Sequence, residues 1–324
     1  MRKFLTITAM FAATSLVLSG CASSVDAGGE AATNDASGEA LVVYNAQHKK
    51  LTKEWVEEFT AQTGIEVVLR NGGDSELGNQ LVAEGDASGA DVFLTENSPA
   101  LSLVENAGLL APIDATTLDL VPEQYRPASG MWTGIAARTA VFVYNPALLA
   151  ESELPASILD LQNASWKGKW GGAPAGADFQ AIVSAILETQ GSEATAAWLT
   201  GMKDNATILR NNIVTMKAVN AGEVAGGIIY HYYWFRDSDA GGENSGNTKL
   251  HYFGNEDPGA FVSVSGAGVL KSSKNADKAQ QFVAFLAGVS GQTILGEGYS
   301  FEYPVGSGVP AKNPLPALDS LGAP

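Results

Sequence analysis

Tyr232 and Tyr233 stand side by side in the segment Gly-Gly-Ile-Ile-Tyr-His-Tyr-Tyr-Trp, residues 226–234. A phenol, with an ordinary pKa of about 10, becomes an anionic ligand only when a strong Lewis acid displaces its proton, and ferric iron is the common biological cation that does so. Two adjacent phenols therefore point to a site for a hard metal ion. The competing reading is structural, since adjacent aromatics at the end of a buried strand are usually packing residues. Geometry adds a condition. Consecutive residues of a regular strand face opposite sides, so both rings can share one ion only where the backbone has left the strand. Ile228 and Ile229 read as that strand and Trp234-Phe235-Arg236-Asp237 no longer alternates, which places the pair at a strand-to-helix turn.

Any such metal must be held by oxygen and nitrogen. Cys21 is the only cysteine among 324 residues, so the folded body has no disulfide, thiolate site or cysteine nucleophile. The residues before it look like a bacterial lipoprotein signal. Arg2 and Lys3 are followed by an apolar run, residues 4–18, and small residues close on Leu18-Ser19-Gly20-Cys21. Residues 1–20 are thus expected to be a signal peptide, with Cys21 the lipid-bearing first residue of the mature chain. The apolar run is too short for a permanent span. Residues 21–39 are the lipidated cysteine and a tether of small and polar residues, which cannot bury enough surface to offset chain entropy. The expected location is extracytoplasmic, anchored to the membrane through Cys21.

The remainder is long enough for two domains with cores of their own. The whole chain's formal net charge of -16 argues against nucleic acid or an anionic bilayer as a partner. The body alternates strands and helices. Strands are expected at residues 41–45, 66–69 and 91–94, and helices at 52–63, 75–84 and 99–107, with Leu51, Trp55, Val56 and Phe59 on one face. This rhythm predicts a mainly parallel sheet covered on both sides. Residues 139–144 form a strand long enough to pass between lobes, followed by helices at 181–188, 193–202 and 214–220. A second extended stretch at 261–270 precedes a helix at 276–286. Two long crossings imply two lobes with a cleft: an N-lobe of residues 40–138 with about 265–290, and a C-lobe of 139–264 with about 291–324.

Several segments together carry a resemblance: Tyr44-Asn45-Ala46-Gln47-His48, Asp91-Val92-Phe93-Leu94-Thr95-Glu96, Gly134-Ile135-Ala136-Ala137-Arg138, Val143-Tyr144-Asn145-Pro146 and Tyr232-Tyr233-Trp234. Their order and separation resemble the ferric-iron-binding proteins of ABC importers, over essentially the whole chain from Leu41 onward. The resemblance implies an α/β, two-lobed type II periplasmic-binding-protein fold that closes on its ligand by a hinge. It implies His48 and Glu96 from the first lobe and Tyr232 and Tyr233 from the second as metal ligands. It also implies a synergistic anion, phosphate or carbonate, near Ala175, Gly176 and Ala177 at a helix N-terminus, with Asn212 touching it. Many relatives have serine where this chain has Ala175, which puts the anion's identity in doubt. Tyr230 and His231 stand where relatives often show asparagines, so Tyr230 is a candidate donor to the anion and His231 a supporting residue. Arg138 is a further charge partner near the cleft.

Each residue has a bland alternative. A histidine before Lys49-Lys50 reads as a solvated loop residue, and Glu96 reads as an acid near the start of the helix at Pro99. Two phenolates and one carboxylate would match the charge of a ferric ion. Catalysis is not expected. Only three histidines occur, with no His-Glu-x-x-His or Gly-x-Ser-x-Gly motif. The alternative function is a same-fold binding protein for an organic cation such as a polyamine or thiamine, with Trp234 and Tyr233 as an aromatic box, or for an oxyanion; a secreted metal-dependent enzyme is more remote. The expected partners are a permease and its ATPase, and the expected state is a monomer.

Overall fold

In the computed structural model, residues 40–323 apart from 307 and 313 are described; the expected signal peptide, Cys21 and the tether lie outside them. In chain order come β1 (Leu41–Asn45), α1 (Lys49–Thr63), β2 (Val67–Asn71), α2 (Asp74–Glu84), β3 (Val92–Leu94), α3 (Ser98–Asn106), β4 (Leu110–Ala111), α4 (Ala115–Leu118) and β5 (Trp132–Tyr144). Then follow β6 (Trp170–Gly172), α5 (Ala177–Asn205), β7 (Thr207–Ile208), α6 (Asn212–Asn220), β8 (Gly226–Tyr230), α7 (His231–Asp239), β9 (Lys249–His251), β10 (Val262–Leu270), α8 (Ala276–Ala287), α9 (Val289–Glu297) and β11 (Tyr303–Pro304).

Helix α1 forms because Leu51, Trp55 and Phe59 recur every fourth residue and bury one face. It stops at Gly64, whose φ of 72° is the left-handed conformation that glycine adopts without strain. The two helices expected at 181–188 and 193–202 are joined in α5, which is kinked at Gly191.

Strands β2, β1 and β3 are parallel. Strand β10 returns antiparallel between β3 and β5, β8 runs antiparallel to β5, and β6 and β7 continue parallel beyond it. The sheet is therefore mixed, not mainly parallel. The chain leaves the first lobe along β5 and comes back along β10, so the two crossings must oppose each other. All 13 residues of β5 are buried, as expected of a central strand covered on both faces. Its first half pairs with β10 and its second half with β8, so it is common to both lobes.

The first lobe's core gathers Leu41, Val43, Trp55, Phe59, Phe282 and Val283. Phe142, Trp170, Trp198 and Ile228 anchor the second. Assigning residues from 291 onward to the second lobe needs correction. Leu295, Tyr303, Val305 and Leu321 belong to the first core, β11 pairs with β5 at Ala136 and Ala137, and Trp55 Nε1 donates to the Gly291 carbonyl at 2.8 Å. Phe301 reaches the second core. Amphipathic spacing shows that a helix buries a face, but not against which of two cores.

Candidate metal centre

Strand β8 ends at Tyr230 and α7 begins at His231, so Tyr232 and Tyr233 lie in the first turn of a helix. The strand-to-helix turn removes the obstacle of opposite faces. Their ring centroids are 4.2 Å apart, with planes inclined by 30°. Close packing brings β8 to this place: a Cβ on Gly226 would stand 2.2 Å from Phe142 Cζ, and one on Gly227 2.5 Å from Thr215 Cγ2. The Tyr232 hydroxyl donates to Glu96 Oε1 at 2.8 Å, and the Tyr233 hydroxyl donates to Asp178 Oδ2 at 3.2 Å.

The first lobe presents Glu96 and His48 from the ends of β3 and β1. Asp74, the first residue of α2, accepts the backbone amides of Glu96 at 2.9 Å and Asn97 at 3.1 Å, fixing the Glu96 peptide. Glu96 does not cap α3, which starts at Ser98 after Asn97; its carboxylate reaches across to Tyr232 instead. His48 precedes α1 and is not a solvated loop residue. Its Nε2 is buried without a hydrogen-bond partner among the described residues, 3.6 Å from Glu96 Oε1 and 3.8 Å from Glu302 Oε2. The imidazole meets the Tyr232 ring edge-on at 5.1 Å.

Beside the segment expected to hold an anion, a carboxylate of the protein engages Asn212. Asp178, second in α5, accepts from Asn212 Nδ2 at 2.6 Å, from Asn97 Nδ2 at 3.0 Å and from Tyr233. Asn212 thus serves this carboxylate. The Gly176 amide donates to the Ala173 carbonyl at 3.0 Å, Ala175 is exposed and Ala177 opens α5. Arg138 is also committed elsewhere. It bonds to the Glu96 carbonyl and the Glu302 carboxylate, lies 3.7 Å from Glu96 Oε1, and sits 5.6 Å from the Tyr232 ring centroid. Tyr230 packs in the second core. His231 is buried, with Nε2 at 2.8 Å from the Phe301 carbonyl and Nδ1 at 3.2 Å from the Thr139 amide, so it ties α7 to β5. The Trp234 indole N–H donates to Thr248 at 2.9 Å, which holds that ring in the second lobe and leaves an aromatic box incomplete.

Burial dominates the electrostatics. It lowers His48 to about 4 against the pull of Glu302, so the imidazole is neutral, with a lone pair available, at ordinary pH. It raises both phenols well above their usual value, with Asp178 and Glu96 adding to the effect. Burial and then the charge of Glu96 lift Asp178 to about 7. Burial raises Glu96 too, against the pull of Arg138. For Glu302 burial works upward, but the Arg138 guanidinium outweighs it and holds the carboxyl below its usual range. Without a cation the two phenols hold their protons; a trivalent ion would displace them. Among the described residues no three His, Cys, Asp or Glu side chains converge to hold a metal by themselves, so the phenols are indispensable to this donor set.

A sequence profile described as "Bacterial extracellular solute-binding protein" matches residues 87–321. The chain belongs to this family of solute-binding proteins. It is 59% identical to the Fe(3+)-binding periplasmic protein of Serratia marcescens, over 88% of this chain and 85% of that one. It is 36% identical to the major ferric iron-binding protein of Neisseria gonorrhoeae, over 88% and 86%. Iron-bound HitA from Pseudomonas aeruginosa superposes with a TM-score of 0.83 at 44% identity, covering 88% of this chain and 92% of that chain. The fold of this solute-binding protein is the two-lobed type II periplasmic-binding-protein fold, and its relatives are binding proteins rather than enzymes.

Sequence reasoning missed two acids of this solute-binding protein. Asp178 reads as an ordinary acid in a helix's first turn; the available signal was its place directly after the proposed anion segment. Glu302 lies in the aromatic run Tyr299-Ser300-Phe301-Glu302-Tyr303, and a carboxylate that is buried there needs a cation, which Arg138 supplies.

Proposed function

We propose that this chain captures ferric iron outside the cytoplasmic membrane, held there by a lipid on Cys21, and delivers it as a monomer to an ABC permease and its ATPase. The observation that carries the reading is the convergence of Tyr232, Tyr233, Glu96 and a His48 nitrogen with no other partner, drawn from both lobes. These are hard oxygen donors and an imidazole, a set suited to ferric iron. The ferric relatives support it. The N-lobe comprises residues 40–138 and 265–290 extended by α9 and β11, and the C-lobe comprises residues 139–264.

Asp178 takes the place of an external phosphate or carbonate. Its carboxylate is hydrogen-bonded by Asn212, the residue expected to touch the anion, and by Asn97, the neighbour of Glu96. Two phenolates and Glu96 already match the three charges of a ferric ion and Asp178 adds one more negative charge, so an external anion is not needed for neutrality. Capture is ligand exchange: the phenol protons leave as the iron–oxygen bonds form, and tighter binding follows as pH rises.

Absorption titration of the soluble body with a ferric chelate tests this reading. A broad visible charge-transfer band should saturate near one iron per protein and be lost or strongly weakened in Tyr232→Phe and Tyr233→Phe. No visible band, with no iron retained after desalting, contradicts it.

A further inference from the structure

A cavity of about 400 Å³ opens beside Tyr233, outside the donor set, between α6, α7 and the residues after α9. Lys217 and Arg236 line it, and neither has an ion-pair partner among the described residues. Arg236 stands one helical turn beyond the tyrosine pair, so it shares their side of α7. Its guanidinium lies 4.9 Å from the centroid of the Tyr299 ring. From the first lobe, Lys50 Nζ approaches the same ring at 4.2 Å. The carboxylates in the lining are Asp237 and Asp239. Asp237 is engaged by Asn244, which donates from its amide at 2.9 Å and its side chain at 2.7 Å, and Asp239 is exposed.

Two cations without carboxylate partners, Lys217 and Arg236, thus line one cavity of a chain whose net charge is -16, and Lys50 meets the Tyr299 ring of the same lining. Such a chain repels anions overall, and Asp237 and Asp239 offset the charge of Lys217 and Arg236 here, so an anion is held in this cavity by the free N–H donors of those two cations. A guanidinium stacked on an aromatic face keeps its fork of N–H donors free for a carboxylate or phosphate. Tyr233 links the cavity to the donor set.

We infer that this cavity docks the anionic carrier on which iron arrives, a small polycarboxylate or a phosphate-based chelator. The inference rests on the ferric reading above. Transfer proceeds by exchange: an iron–carrier oxygen bond breaks as the iron–Tyr233 oxygen bond forms, and the phenol proton leaves to the departing donor or to water. No electron moves.

The test follows growth of the charge-transfer band after iron-free protein is mixed with ferric citrate, ferric pyrophosphate or the neutral tris(acetohydroxamate) complex. Arg236→Gln and Lys217→Gln, made separately and checked for folding by circular dichroism, should each slow transfer from an anionic carrier about tenfold, while transfer from the neutral complex is unchanged. Added salt should slow the wild type more than the variants. Slowing with citrate alone identifies a carboxylate carrier, and slowing with pyrophosphate alone a phosphate one. Unchanged rates with both anionic carriers, or equal slowing with the neutral complex, overturn the inference. A wild type that develops no band with any donor overturns the ferric reading instead.

Discussion

At the scale of single residues, the site balances groups that are poor neighbours until a cation arrives. Asp178 shows this most clearly. Its carboxyl is raised to about 7 in the folded protein, from an ordinary 3.8, by burial and by Glu96. A carboxyl with a raised folded pKa stabilises fully below the unfolded value, and that contribution is lost as pH rises through about 7. Replacing it with asparagine removes this dependence. In calorimetry of iron-free protein, the melting temperature of Asp178→Asn relative to wild type should therefore climb between about pH 4 and pH 7 and level off above. The same variant should bind ferric iron more weakly and regain affinity when phosphate is added. A pH-independent difference in melting temperature would count against the raised carboxyl, and phosphate-insensitive binding against its role as a built-in anion. The tyrosine pair was legible in sequence because adjacent phenols after an apolar strand are unusual chemistry. Asp178 and Glu302 were not, because a lone acid acquires its meaning from partners distant in the chain, such as Asn97 and Arg138.

At the scale of elements, amphipathic spacing located α1 and α8, and helix-start residues located α2 and α3, nearly as they stand. Strand order was hidden. Nothing local in residues 262–270 says that β10 lies between β3 and β5, because that pairing is decided by contacts far apart in the chain. The ending was hidden for a similar reason: α9 belongs to the first lobe through Trp55, whose indole is buried and bonded to the Gly291 carbonyl. Trp55→Ala removes a large aromatic from that core and should cost about 3–5 kcal/mol of stability. Denaturant unfolding of the iron-free protein measures it. Since Trp55 is remote from the donors, the charge-transfer band of the folded variant should keep its position; a loss below about 1 kcal/mol would show that α9 is not fastened through this residue.

At the scale of the whole molecule, β5 and β10 fix two lobes to one sheet, and the candidate site lies where they meet. Glu96 and Asn97, adjacent in the first lobe, reach Tyr232 and Asp178 of the second. A site divided this way is complete only when the lobes are closed, so the proposed capture of an ion requires closure of the cleft. The two-lobed outline could be read from the two long crossings in the sequence. The acid that meets Tyr233 could not, because residues 175–177 and Asp178 are neighbours in the chain, and only folding shows which of them faces the tyrosine pair. The most direct measurement is anomalous diffraction at the iron edge from crystals of the iron-loaded protein. The account predicts a single strong peak in the interlobe cleft, within bonding distance of Tyr232, Tyr233, Glu96, His48 and Asp178, with no phosphate or carbonate on the ion. A peak elsewhere, or one bridged to an external anion with Asp178 turned away, would contradict it.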